Sequence, residues 1–144
     1  TAHEFIRTKG QITTRVVVAV GEWLKRGAGD PTQGQITFDV PGGVVGELAQ
    51  MVPGAPRFSV DDEVVLFLWR NTATGRRVVL GLAQGAFRVE RTSGAPQAVS
   101  DRRGLRFVSH ESPPSGAAGP PAVLKVPLNE LLDSIRGLHR SSNP

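Results

Sequence analysis

Three knots of glycine and proline break up the middle of this chain: Pro41-Gly42-Gly43, Val52-Pro53-Gly54-Ala55-Pro56 and Gly81-Leu82-Ala83-Gln84-Gly85. They lie between short β-branched and aromatic runs. Proline cannot donate to a strand ladder and glycine admits positive φ, so each knot ends one pleated segment and turns the chain into the next. A chain punctuated this often has no room for a long helix through its centre. It must build a sheet from short strands.

The runs between the knots carry the matching periodicity. From Gln11 to Leu24, Ile12, Thr14, Val16, Val18 and Val20 share one face and Thr13, Arg15, Val17 and Ala19 the other, which predicts a long half-buried strand. Gln35 to Val40 alternates again, with Ile36, Phe38 and Val40 inward and Gln35, Thr37 and Asp39 outward. Glu63 to Arg70 is apolar on both faces and reads as a central strand covered on both sides. Asn71 to Gly75 is a hairpin turn, followed by strands at 76–82 and 86–91 and short edge strands at 97–101 and 105–108. Regularly spaced short strands without an intervening helix predict an all-β domain over residues 5–110, a small OB-like barrel of five to seven strands.

Residues 111–125 read as a Pro/Gly-rich linker with too little side chain to pack. A C-terminal amphipathic helix follows at 126–140, with Pro127 at its first position. Leu128, Leu131, Leu132, Ile135 and Leu138 recur at helical spacing on one side. A single helix of this length is marginal alone, so the stripe must dock. Its own barrel is the first expectation, and a partner groove or second subunit is the alternative that makes these five the candidate partner-binding residues.

Composition removes whole classes of chemistry. The 144 residues contain no cysteine, which excludes disulfides, thiolate catalysis, iron–sulfur clusters and cysteine-based zinc sites. No run reaches the roughly 18 apolar residues of a membrane span. The chain starts at Thr1 without a charged segment leading into an apolar one, and is expected to be a processed or trimmed product whose signal peptide has been removed. The formal charge of +4 comes from three Lys and fourteen Arg against thirteen acidic residues. The arginines are scattered, with Arg76-Arg77 and Arg102-Arg103 the densest pairs, so a solvated surface explains them without a polyanionic partner.

No catalytic, cofactor or metal constellation emerges. His3, His110 and His139 stand at no metal-ligand spacing. Ser109-His110-Glu111 has triad residue types, but a triad needs side chains converging from separate elements. Asp61-Asp62-Glu63 lacks the alternating oxygen ligands and central glycine of a calcium loop, and reads as a turn. The glycine-rich knots are followed by neither a Lys-Ser/Thr pair nor a helix, so they are not phosphate loops. Nucleic-acid binding is the strongest competitor. Phe38, Phe67, Trp69 and Phe87 interleave with Arg70, Arg76, Arg88 and Arg91, the composition with which open barrel faces hold single strands. Core packing is the expected use of these aromatics.

Four motifs carry a resemblance: Pro-Gly-Gly-(x)2-Gly at 41–46, Val-Pro-Gly-Ala-Pro-Arg-Phe at 52–58, Asp-Glu-Val-Val-Leu-Phe-Leu at 62–68 and Gly-Leu-Ala-Gln-Gly-x-Phe-Arg-Val at 81–89. Together they resemble uncharacterised exported bacterial proteins with one small OB-like barrel domain, similar to netrin and tissue-inhibitor-of-metalloprotease modules. Val126-Pro127-Leu128 matches the start of that group's helix. The chain departs from the group at Asp62, where relatives have Gly, and at Ala86, where they often have Lys. It also has only Phe5-Ile6 as apolar content where relatives begin with an extra strand; if the barrel needs that strand, either the sequence is incomplete or a sheet edge is left open. The resemblance implies an extracytoplasmic, periplasmic or secreted location but carries no activity and no site residue. The expected function is a non-catalytic protein-interaction or structural module, a subunit of an extracytoplasmic assembly formed with a protein partner or by self-assembly. Neither a cofactor nor a small-molecule substrate is expected, and a single-stranded nucleic-acid-binding protein is the alternative.

Overall fold

A computed structural model describes residues 2–8, 10–32, 34–106 and 120–141, with backbone alone for 2–8 and 139–141. The described residues form eleven strands and one α-helix. The strands are β1 (Ala2–Thr8), β2 (Gln11–Ala19), β3 (Gln35–Pro41), β4 (Gly43–Val45), β5 (Leu48–Gln50), β6 (Val64–Leu66), β7 (Leu68–Arg70), β8 (Arg77–Val79), β9 (Ala86–Glu90), β10 (Gln97–Asp101) and β11 (Val123–Pro127). Helix α1 spans Leu128–Ser141.

The strands assemble as a five-stranded sheet in the order β1-β2-β3-β8-β7, a four-stranded sheet in the order β11-β10-β9-β6, and the β4-β5 hairpin. The protein is therefore mostly β-sheet with one C-terminal helix. The expected barrel of five to seven strands is not formed: the sheets do not close into a ring, and several runs expected to be single strands are broken into three-residue pieces. The alternation along β2 and β3 does set the core. Val16, Val18, Ile36, Phe38 and Val40 are buried together with Val79 and Ala86. Phe38 is 1% exposed and meets Phe58 edge-on, with ring centroids 5.4 Å apart.

The N-terminal residues that promised too little apolar content for a strand do form one. β1 pairs antiparallel with β2 along its whole length, from Ala2 opposite Val17 to Thr8 opposite Gln11. Backbone pairing needs no apolar side chains, which is why the pattern missed it.

The run 63–70 is not a central strand. It splits into β6, the end of the four-stranded sheet, and β7, the end of the five-stranded sheet. At the junction the amide of Phe67 donates to the carbonyl of Gly85 at 2.8 Å, and the Phe67 carbonyl accepts from the amide of Leu80 at 2.8 Å. Val64–Arg70 is thus one arm of a hairpin whose other arm has Gly81–Gln84 looped out between β8 and β9. Val64, Leu66 and Leu68 pack against the main core, while Phe67 meets Phe87 edge-on at 6.2 Å. Apolar residues on both faces report two covered faces; they say nothing about hydrogen-bonding neighbours, and the strand has one edge unpaired among the described residues.

The looped-out residues end in a 3-10 turn over Leu82–Gly85. The Ala83 amide donates to the Gly54 carbonyl at 3.0 Å, and the buried Ser100 hydroxyl donates to the Ala83 carbonyl at 2.7 Å. Two of the sequence knots therefore hold each other. The third is fixed from β2: the Gly42 amide donates to the Ile12 carbonyl at 2.8 Å, and the Thr14 hydroxyl donates to the Gly42 carbonyl at 2.7 Å.

Segment 97–101 forms β10, but between β9 and β11 and not at an edge. Residues 107–119 lie outside the described residues, and with them most of the expected linker 111–125 and the end of the strand expected at 105–108. Its last part, from Val123, is β11, which pairs antiparallel with β10 from Asp101 opposite Val123 to Gln97 opposite Pro127. Pro127 accordingly closes a strand instead of opening the helix. The Leu128 amide donates to the Pro96 carbonyl at 2.9 Å and fixes where α1 leaves the sheet.

Candidate functional site

The outer face of the five-stranded sheet, opposite the core, carries a row of residues set by register. Arg15 lies opposite Asp39, Asp39 opposite Val78, and Val78 opposite Trp69. The alternation places Asp39 on the outward face, and there it is only 7% exposed. Arg15 and Arg76 cover it. The Arg76 guanidinium donates through Nε and Nη2 to one carboxylate oxygen at 2.8 and 2.6 Å, and Arg15 Nε donates to the other at 3.2 Å. The buried carboxylate is thus matched by two guanidiniums, which offsets the cost of taking it out of water.

Beside this row opens a cleft of about 510 Å³. Its walls include Trp69 and Val78, Asp39 and Arg76, Thr13 from β2, Asn71 and Thr74 from the hairpin turn, and Pro41, Pro56 and Leu82 from the three knots. Leu82 holds a left-handed backbone at φ 56, an uncommon conformation for a branched residue. Trp69 is 52% exposed. This corrects the expectation that the aromatics of the 63–70 run are spent on the core: Phe67 is half-buried against Phe87, and Trp69 is exposed. Alternation alone carried the signal, because Trp69 sits on the strand that ends the sheet, where no layer covers the outer face among the described residues.

Most of the arginine charge is already matched. Arg77 bonds Asp30 at 2.6 Å with both side chains largely buried. Arg88 and Lys125 meet Glu90, Arg91 meets Glu63, Arg103 meets Asp101 and Arg136 meets Glu22. Burial alone would raise the Asp30 carboxyl, but hydrogen bonds from Arg77 and the Gly27 amide, with the charges of Arg77 and Arg70, hold it below the usual carboxylate range. The hydrogen bonds from the Arg103 side chain and backbone pull Asp101 down to about 2. The Arg91 hydrogen bond lowers Glu63.

The residues singled out from the sequence fall as follows. Leu128, Leu131, Leu132 and Ile135 are half-buried on α1, which lies against β10 and β11, while Leu138 is 72% exposed. Asp62 closes its own turn, accepting from the Ser59 amide at 2.6 Å, and Glu63 is engaged by Arg91. Among the described residues no three His, Asp or Glu side chains gather as a metal site, and no helix is long and apolar enough to cross a membrane. The Ser109-His110-Glu111 segment and the side chains of His3 and His139 lie outside the described residues. No protein-family model, curated protein or solved structure matches the chain.

The site offers a backbone edge beside a cleft whose walls are both apolar and polar. Hydrogen-bond parity identifies which groups the edge presents. Glu63, Phe67 and Asn71 direct their bonds inward, to Val89, to Leu80 and Gly85, and to Arg76. By alternation Val64, Leu66, Leu68 and Arg70 direct their amides and carbonyls outward, and no strand receives them among the described residues.

Proposed function

We propose that this protein is a non-catalytic interaction module, an exported structural or binding subunit that joins its partner by strand addition along Val64–Arg70. The single observation that carries the reading is this edge: seven consecutive residues that no further strand pairs among the described residues, running along both sheets beside an exposed indole and a cleft. An added strand satisfies the outward amides and carbonyls, and the cleft takes side chains at alternate positions. Natural proteins shield such edges, because an unshielded one pairs indiscriminately. An edge kept open next to Trp69 is best explained by use. The resemblance carried by the four motifs supports export.

Amide exchange tests the reading. Leu66 and Leu68 amides are expected to exchange markedly more slowly once the native partner is bound, with Trp69 emission shifting to the blue. Unchanged exchange at both amides while the partner is bound elsewhere removes strand addition. Recovery of the native protein solely from the cytosol removes the exported location.

One observation favours a second reading: Trp69 stands beside Arg76 on an open sheet face, an arrangement that stacks bases of a single strand. Against it, Arg76 already serves Asp39. Binding to oligonucleotides that weakens steeply with salt would favour this reading, and no binding at low salt would remove it.

A further inference from the structure

The edge Val64–Arg70 is self-complementary, and we infer that its occupant is a second copy of this chain, paired antiparallel about a two-fold axis through Phe67. This rests on the strand-addition reading above and specifies the partner. Three features of the edge point to it.

The first is parity. A two-fold axis at Phe67 sets Leu66 opposite Leu68 of the second copy and Val64 opposite Arg70. These are the residues whose amides and carbonyls point outward, so each such pair exchanges two backbone bonds without a register shift. A centre at any even-numbered residue also keeps the bonded residues in register, but at Leu66 or Leu68 it shortens the paired run. Phe67 centres it.

The second is charge. Asp61-Asp62 precede the edge and Arg70 ends it. Antiparallel self-pairing brings the acidic end of each copy to the Arg70 end of the other. A parallel arrangement would set like against like, which is unfavourable.

The third is the exposed indole. In this register Trp69 lies across from Val65 of the second copy, in a non-bonded pair whose α-carbons approach to about 4.5 Å. The β-branched side chain then covers part of the ring that solvent now meets. An isologous pair of this kind closes on itself and uses up this edge in both copies.

The test exploits a chain with no cysteine. The double variant Val65→Cys/Trp69→Cys is oxidised mildly and its disulfides are mapped by peptide mass. Within one strand the two sites are too far apart to bridge, at about 3.3 Å per residue. The expected product is a covalent dimer joined through 65–69 in both directions, and cross-links in other registers, or none, overturn the inference. In parallel, the unmodified chain is expected to double its mass with concentration in sedimentation equilibrium, and Arg70→Glu to weaken that association at least about tenfold by setting like charges together. A strict monomer whose Leu66 and Leu68 amides are protected by another protein overturns the self-pairing and leaves strand addition standing. A monomer whose amides stay open with every native partner bound overturns both.

Discussion

The carbonyl oxygen of Leu80 occupies the space where a side chain on Gly85 would begin. A β-carbon at Gly85 would collide with it and stand 3.1 Å from the Phe67 carbonyl oxygen as well. Both obstacles are backbone groups at the junction of the two sheets, where the Leu80 amide is bonded to the Phe67 carbonyl, so neither moves aside cheaply. Gly85→Ala is expected to cost about 2–3 kcal/mol, read as a lower urea midpoint, because overpacking against fixed atoms forces the backbone to shift. Gly21→Ala, where nothing lies within 4 Å, is the control. A Gly85→Ala protein as stable as the parent would mean that Gly81–Gln84 are not looped out at this corner.

Asp39 ties β2, β3 and the β7-β8 turn through one carboxylate. Asp39→Asn keeps the shape but withdraws the carboxylate charge that Arg15 and Arg76 share. The expected loss is about 1–3 kcal/mol, below that of a fully buried pair because both arginine side chains are partly exposed. Thermal unfolding measures it. Loss of Trp69 quenching contrast in the same variant would locate the disturbance in the cleft, and an unchanged midpoint would show that the network contributes nothing.

Acid should destabilise the protein chiefly through Asp30. Its carboxyl is held below the ordinary range when folded, so the folded state favours the ionised form. That stability is complete above the unfolded carboxylate value of about 3.9 and is lost as pH falls below it. Asp101, lowered to about 2, follows the same sign but is half-exposed and screened, so its share is small. Urea midpoints between pH 7 and 2 are expected to hold level and then fall, and Asp30→Asn to flatten the fall. An identical acid profile in Asp30→Asn would sink this account.

Much of the architecture was legible because it rests on side-chain alternation. Ile36, Phe38 and Val40 lie in the core as their spacing required, and the C-terminal leucines form a helix. What was not legible rests on backbone hydrogen bonds, which leave no mark on side-chain type. β1 and β11 pair fully although Ala2–Thr8 is poor in apolar residues and Val123–Pro127 follows a proline-rich stretch. The run 63–70 was misplaced for the same reason: Val64, Leu66 and Leu68 face one apolar layer and Phe67 another, which looks like a central strand until its partners are known. The cleft went unseen because its walls are drawn from knots whose residues read as turns. Pro41, Pro56 and Leu82 do make turns, and the turns converge.

Helix α1 should separate residues that carry much of the fold's stability from those that carry little. Leu131, Leu132 and Ile135 are half-buried, whereas Leu138 projects a turn further on. Leu132→Ala is expected to cost about 1–2 kcal/mol, less than a fully buried leucine, while Leu138→Ala stays within about 0.5 kcal/mol. Gly137→Ala should stabilise the helix by up to about 1 kcal/mol, since nothing lies within 4 Å of a β-carbon there and glycine is a poor helix former. Helix-specific exchange of the α1 amides, measured beside the global midpoint, tells local from global effects. A large global loss in Leu138→Ala would mean that this side chain packs on the protein itself, and the five-residue stripe would then be wholly structural.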